Sequence, residues 1–174
     1  MKNNTALTRY QWLTVAILAL TQFTVVLDFM VMSPLGDLLM KEFKVKPDQF
    51  GIVVSSYALA AGISGFLTAG FADRFDRKRL LVFFYSGFIL GTLFCGMAES
   101  YNQLVWARIL TGLFGGVMSS ISMAIVADIF SLEQRGRVMG FMQMGFGLSQ
   151  IVGIPLSLFI ADMYHWQTPF YLIV

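Results

Sequence analysis

Residues 69–81 read Ala-Gly-Phe-Ala-Asp-Arg-Phe-Asp-Arg-Lys-Arg-Leu-Leu, a charged segment at the junction of two long charge-free stretches. The stretches cover residues 49–72 and 80–98, and each is long enough for one helix across about 30 Å of hydrocarbon. Charged side chains are costly in lipid, so the segment predicts a loop that joins two membrane-spanning helices.

The composition of the whole chain also indicates a membrane protein. Of its 174 residues, 57% are hydrophobic and 13% are charged, and the mean hydropathy is +0.71. A soluble domain of this length could not bury so much apolar surface, so lipid must act as part of the solvent.

The same composition argues against several functions. The net charge of only +2 does not indicate the strongly basic surface that nucleic-acid binding requires, so we expect no nucleic-acid partner. One histidine, one cysteine and no nucleophile paired with a base predict no metal site, no cofactor and no enzyme.

Hydropathy predicts an all-α integral membrane bundle with five transmembrane helices and the start of a sixth. We place the helices at about residues 11–39, 50–72, 80–98, 103–129 and 138–163, and the start of the sixth at about 168–174.

Basic residues predict the orientation, because lysine and arginine near helix ends are retained in the cytoplasm. Eight lie on the side of the N-terminus and three, Lys41, Lys44 and Lys46, lie on the opposite side. We therefore expect a multi-pass protein of a bacterial inner membrane, in contact with the lipid bilayer, whose N-terminus is cytoplasmic.

The loop at 69–81 resembles a motif of the major facilitator superfamily, G-x-L-A-D-R-x-G-R-K. Its charged positions are occupied here by Asp73, Arg74, Arg77 and Lys78. Two positions depart from the pattern, since Ala69 stands at the first glycine and Asp76 at the second. Asp76 removes the backbone freedom of glycine, although aspartate tolerates a left-handed turn better than most residues.

Three further segments extend the resemblance over almost the whole chain. Residues 108–112 with the glycines that follow resemble the fourth-helix arginine motif, and residues 128–137 resemble the next loop. Residues 153–157 resemble the fifth-helix motif of the drug and sugar efflux branch, which includes arabinose efflux permease-like proton antiporters. Ser157 stands where the antiporter motif has a glycine.

The resemblance implies twelve helices in two halves that alternate access to a central site. Residues 1–174 then correspond to the N-terminal transmembrane half, without the C-terminal half, which a longer protein or a partner chain would supply. The function it implies is secondary active transport of small organic solutes, as proton-coupled efflux. A sugar or metabolite facilitator, or a non-transporting half-length module or remnant, are the alternatives.

Asp28 and Arg108 are the charges that fall deepest in predicted helices. Each would cost about 2.5 to 3.5 kcal/mol at a helix centre, so neither is expected to face lipid. Both fall roughly 10 Å below the same membrane surface. Our hypothesis is that they line one cavity and couple protons to substrate, and the alternative is a structural ion pair.

Other polar residues are candidates for the cavity wall. Thr21 and Thr24 share a helical face with Asp28, although threonines in membrane helices often bond their own backbone. Gln143 and Gln150, seven residues apart, would contact substrate or join helices.

The charges of the loops suggest a latch. Asp73, Arg74, Arg77, Lys78 and Asp128 would form a cluster on the cytoplasmic side that holds the helix ends together. Contact with anionic lipid headgroups is the alternative, and it accounts equally well for Arg74 and Lys78.

Overall fold

A computed structural model describes residues 7–70 and 75–174, and within these ranges it contains helices and turns but no strand. The helices are α1 Arg9–Val31, α2 Gly36–Phe43, α3 Pro47–Ala69, α4 Arg77–Gly96, α5 Tyr101–Gly115, α6 Met118–Ile129, α7 Leu132–Leu148, α8 Ile154–Met163 and α9 Thr168–Ile173, with a π-helical segment, Ser149–Gly153, between α7 and α8.

Five helical spans in the described residues are long and apolar enough to cross a membrane. They are α1, α3, α4, α5 with α6, and α7 with α8, and α9 begins a sixth. The predicted all-α membrane bundle is thus confirmed. Successive spans turn at alternate ends, which we call the N-terminal end, where α1 starts, and the far end, where α2 lies.

The first span is shorter than the predicted 11–39. Helix α1 ends at Val31, a turn follows, and α2 starts at Gly36. Pro34 lies in this turn; proline has no backbone N–H to donate and disfavours helical angles at the residue before it. The chain therefore leaves the helix although its hydropathy stays high.

Helix α7 starts before the predicted residue 138. Ser131 forms a capping box in which its side chain accepts from the backbone of Gln134 and the Gln134 side chain accepts from the Ser131 N–H. The helix thus begins at Leu132, inside the charged loop. Further along, the π-helical segment lies just before Pro155. Proline has no N–H for the regular helical hydrogen bond, and the change to π-helical geometry falls at this point of the chain.

The interior consists of two apolar clusters stacked along the helix axes. The cluster toward the N-terminal end includes Leu18, Phe88 and Val126, and the cluster toward the far end includes Leu39, Leu104 and Phe170. In α1 the boundary falls between Leu27 and Val31, which belong to different clusters. Buried polar residues therefore form a layer between the clusters: Asp28, Thr92 and Arg108.

Glycines bring α3 directly against α5. A Cβ atom on Gly112 would overlap the carbonyl oxygen of Tyr57, and one on Gly116 would overlap the backbone of Ala61. Close backbone approach of this kind is the usual basis of helix packing in lipid. It places Tyr57 one turn of α5 away from Arg108.

Candidate functional site: a buried ion pair beside an open groove

The polar layer contains an ion pair between α1 and α5. Arg108 Nη1 donates to Asp28 Oδ2 at 2.7 Å and lies 3.4 Å from the Asp28 carbonyl oxygen. Both side chains are completely buried. The structure thus brings the two deepest predicted charges into direct contact, and it encloses them instead of exposing them to an open cavity.

Two further side chains contact the pair. Thr92 Oγ1 of α4 donates to the other carboxylate oxygen, Asp28 Oδ1, at 3.2 Å. The guanidinium carbon of Arg108 lies 4.5 Å from the centroid of the Tyr57 ring, a cation–π contact from α3. Four helices therefore meet at the pair.

The guanidinium is only partly satisfied. Its Nε and Nη2 atoms are buried and have no hydrogen-bond partner in the described part of the chain. Asp28, in contrast, accepts through both carboxylate oxygens. Arg108 therefore holds the carboxylate through one nitrogen, and rotation about its terminal bonds would break the contact.

An open groove of about 310 Å³ lies next to the ion pair. It is lined from α1, α3, the α5–α6 junction and α7 by Gln22, Val25, Val26, Phe29, Met30, Tyr57, Ala58, Gly115, Gly116, Ser119 and Phe146. None of these residues is charged. Ser119 Oγ lies 3.3 Å from Gln22 Oε1, so the polar groups of the wall include an amide and a hydroxyl.

Tyr57 belongs to both features, because it lines the groove and contacts Arg108. Its ring centroid also lies 5.2 Å from that of Phe29. Within the described residues, no group of three His, Cys, Asp or Glu side chains is arranged to hold a metal ion. The arrangement is therefore suited to binding an apolar or aromatic molecule beside a protonatable carboxylate.

The four neutral cavity candidates lie away from this groove. Thr21 Oγ1 donates to the Ile17 carbonyl at 2.9 Å, and Thr24 Oγ1 donates to the Thr21 carbonyl at 3.0 Å and contacts Tyr85 of α4. Gln143 and Gln150 are exposed on α7 and the π-helical segment. Both threonines thus donate to carbonyls of their own helix, and Thr24 also contacts α4.

The charged loop candidates are brought together only in part. Arg77 Nε lies 3.2 Å from Asp128 Oδ2, which joins the start of α4 to the end of α6. Lys78 is exposed. Asp73 and Arg74 lie outside the described residues.

Two residues of the segments predicted as loops, Asp76 before α4 and Arg135 in the first turn of α7, act on helix ends. The Asp76 carboxylate accepts from the Arg79 N–H at 3.0 Å and caps α4, and its φ of −60° is not left-handed, so the glycine of the motif is not required there. Arg135 donates to the carbonyls of Phe130 and Ala127 at the end of α6. Both contacts satisfy backbone groups that a helix end leaves unpaired.

Sequence reasoning did not find Thr92, Tyr57, Gln22 or Ser119. All four are neutral polar residues inside apolar spans, a position where such residues are common. The available signal was indirect: Tyr57 lies among the small residues of α3, and Thr92 follows Gly91 on the face that meets α5.

Comparison with known proteins identifies relatives of the chain. The family described as Major Facilitator Superfamily matches residues 18–174. The chain is 31% identical over 151 residues to the uncharacterized MFS-type transporter YceJ of Bacillus subtilis, covering 87% of this chain and 38% of the relative. It is 34% identical over 125 residues to Multidrug resistance protein 3 of the same organism, covering 72% of this chain and 24% of the relative.

The fold has a counterpart among solved structures. A bacterial homolog of the human lysosomal transporter Spinster, in an inward-facing and unoccupied conformation, superposes with a TM-score of 0.81 at 17% identity. The match covers 97% of this chain and 41% of the other. The chain thus spans less than half the length of these relatives.

Proposed function

The chain belongs to the Major Facilitator Superfamily, and from this premise we propose that it forms the N-terminal half of a proton-coupled efflux transporter for small organic solutes. The observation that carries the proposal is the completely buried Asp28–Arg108 pair beside an open, uncharged groove. The groove would hold the solute, and the pair would respond to it.

The ion pair is suited to exist in two states. With Asp28 ionised, the carboxylate and the guanidinium neutralise each other, as burial of charges requires. With Asp28 protonated, Arg108 keeps its charge without a counter-ion, and a buried unpaired cation is strongly unfavourable. Proton uptake therefore favours a conformation in which water reaches Arg108, and this is how a proton would drive alternating access.

The groove supports an apolar or aromatic substrate. Its aromatic walls come from Phe29, Tyr57 and Phe146, and Met30 adds a flexible thioether that adapts to different shapes. Gln22 and Ser119 offer hydrogen bonds but no charge. Such a surface fits several related solutes better than one highly polar metabolite.

The groove is open on one side, and we propose that a second set of helices covers it. The buried share is 22% for the span of α3 and 28% for that of α7 and α8, against 44–50% for the other three spans. Gly62 and Gly65 of α3 and Gly136 and Gly140 of α7 have open space where a Cβ would point. Small residues on uncovered faces suit close helix packing in lipid.

We also propose how the chain lies in its membrane. The excess of lysine and arginine at the N-terminal end favours a cytoplasmic N-terminus in a bacterial inner membrane. The open side would then be closed by the C-terminal half of the same protein or by a partner chain. Solute would leave at the far end.

The test is transport of the aromatic dye ethidium by the complete gene product in liposomes, with and without an imposed pH gradient. Asp28→Asn cannot bind or release a proton at this position, so the coupling step is removed. We expect its gradient-driven transport rate to be lower than that of the wild type by a factor of about ten or more. Asp37→Asn, an exposed carboxylate of α2, is the matched control. Undiminished proton coupling in Asp28→Asn would exclude the proton role.

One observation favours a metabolite facilitator as the second candidate. Ser157, which replaces the glycine of the antiporter motif, is completely buried, and its hydroxyl has no partner in the described residues. A facilitator would move solute at the same rate with and without the pH gradient. The same assay, extended to sugars and organic acids, distinguishes the two candidates.

A further inference from the structure

Tyr57 contacts the groove and the buried ion pair at once. Its ring lies 4.5 Å from the guanidinium carbon of Arg108 and 5.2 Å, between centroids, from the ring of Phe29. Only 6% of the residue is exposed, so its ring forms a wall between the two regions. A molecule that fills the groove must touch this wall.

The Tyr57 hydroxyl is available to such a molecule. It has no hydrogen-bond partner within residues 7–70 and 75–174, and it does not belong to the fully buried polar atoms that lack one. It lies against Gly115, where a Cβ would approach the hydroxyl oxygen to 2.6 Å. Glycine at this point leaves the space that the hydroxyl occupies, and both residues line the groove.

The ion pair, in turn, is sensitive to the position of the ring. Arg108 binds the Asp28 carboxylate through Nη1 alone, while its Nε and Nη2 have no partner in the described residues. Besides the contacts of Nη1 with the carboxylate and the carbonyl of Asp28, the ring face is a further favourable contact of the guanidinium. If the ring moves, Arg108 loses that contact and is free to turn its unpaired donors toward the vacated space.

We propose that Tyr57 is the positioning residue that couples the groove to the ion pair. A solute that carries an aromatic surface and a hydrogen-bonding group binds the hydroxyl and displaces the ring from Arg108. Arg108 then turns away from Asp28, which leaves the carboxylate free to accept a proton from the far end when the solute leaves there. This inference rests on the proposed transport function, and it adds the residue through which solute and proton influence each other.

Two substitutions separate the hydroxyl from the ring. In the complete gene product in liposomes, with ethidium as the probe, Tyr57→Phe keeps the ring and should raise KM roughly fivefold while leaving the stimulation by a pH gradient unchanged. Tyr57→Leu removes the ring, so the ratio of rates with and without the gradient should fall toward one. Tyr57→Met, also unbranched at Cβ, is measured beside it and should behave like Tyr57→Leu.

The pH profile gives a second readout that a structural role alone would not change. Among the described residues, the titratable groups that interact electrostatically with Asp28 include Arg108 of α5, Tyr57 of α3 and Cys95 of α4, so Cys95→Ala is included to separate their effects. We expect the pH dependence of the rate to flatten in Tyr57→Leu and to persist in Tyr57→Phe. Retention of the ring would thus rescue coupling.

Tyr101→Phe is the matched control, because Tyr101 also joins α5 to α3 by donating to the Gln49 carbonyl at 3.1 Å, at the far end and outside the groove. It should change neither KM nor coupling. If Tyr57→Leu and Tyr57→Met kept wild-type proton coupling while Asp28→Asn lost it, the proposed role of Tyr57 would be overturned. The transport proposal would then stand. Absence of gradient stimulation in the wild type would overturn the transport proposal as well.

Discussion

At the scale of single residues, the Asp28 carboxylate is stabilised by contacts from two helices. Arg108 supplies the charge from α5, and Thr92 supplies a hydroxyl donor from α4. Removing both charges from water costs several kcal/mol per ion, and such a cost is offset only when the remaining lone pairs are also satisfied. Thr92 is therefore part of what makes the buried pair tolerable.

This predicts a specific effect of Thr92→Val, which removes the hydroxyl at nearly constant volume. The lost hydrogen bond to a charged group should lower the free energy of unfolding by about 1.5 to 3 kcal/mol. Thermal unfolding of the purified protein in detergent measures the change. Thr14→Val is the control, because the Thr14 hydroxyl donates to the Tyr10 carbonyl of its own helix. Equal effects of the two substitutions would contradict the prediction.

The residues of the site differ in how well the sequence predicts them. Asp28 and Arg108 could be predicted as functional candidates, because a charge inside an apolar span must avoid lipid. Thr92 and Tyr57 could not be predicted in this way, since a neutral polar residue in an apolar span can also be satisfied locally, for example by a hydrogen bond to the backbone of its own helix. Thr21 and Thr24 take that alternative and bond their own backbone carbonyls.

At the scale of helices, hydropathy predicts the number of spans better than their ends. The first predicted helix continued to about residue 39 because the turn at 32–35 is as apolar as its neighbours, and only Pro34 indicates the break. The fifth was placed six residues late because its first turns are charged. There the useful signal is the Ser131–Gln134 capping box.

We further propose that the Arg77–Asp128 contact is the latch between α4 and α6 at the N-terminal end. The side chains are 28% and 56% exposed, so the pair is worth at most about 1 kcal/mol and can form and break during transport. A contact of this strength shifts a two-state equilibrium by at most about fivefold. It is thus suited to biasing a conformation without fixing it.

Asp128→Asn should accordingly reduce ethidium transport by no more than about fivefold and change thermal stability by less than about 1 kcal/mol. Raising the salt concentration should slow the wild type toward the rate of the variant, because exposed ion pairs are screened. Asp162→Asn, an exposed carboxylate of α8, is the control. If Asp128→Asn transported at the wild-type rate, the latch would be contradicted, and contact of the loop charges with anionic lipid headgroups would be the better explanation.

At the scale of the whole molecule, the uneven burial of the spans has the widest consequence. Helices α3 and α7 contribute walls to the groove and also carry the open glycine faces. Helix α4 exposes bulky residues, among them Phe83 and Leu90, and all its glycines are packed against neighbouring residues, whereas α3 has open space at Gly62 and Gly65 beside bulky residues such as Phe66. Lipid chains cover bulky apolar side chains well, whereas small residues allow another helix to approach closely. The two surfaces are therefore expected to have different neighbours.

Spin labels in the complete gene product distinguish these neighbours. Nitroxides are placed on cysteines introduced singly, in a Cys95→Ser background, at Gly62 of α3, Gly140 of α7, Phe83 and Leu90. Collision with dissolved oxygen, which concentrates in the hydrocarbon of the bilayer, is measured by electron paramagnetic resonance. We expect low accessibility at Gly62 and Gly140, because protein covers them, and high accessibility at the α4 positions, because lipid does. High oxygen accessibility at all four positions would mean that no second set of helices closes the groove, and the groove would then open to the bilayer itself.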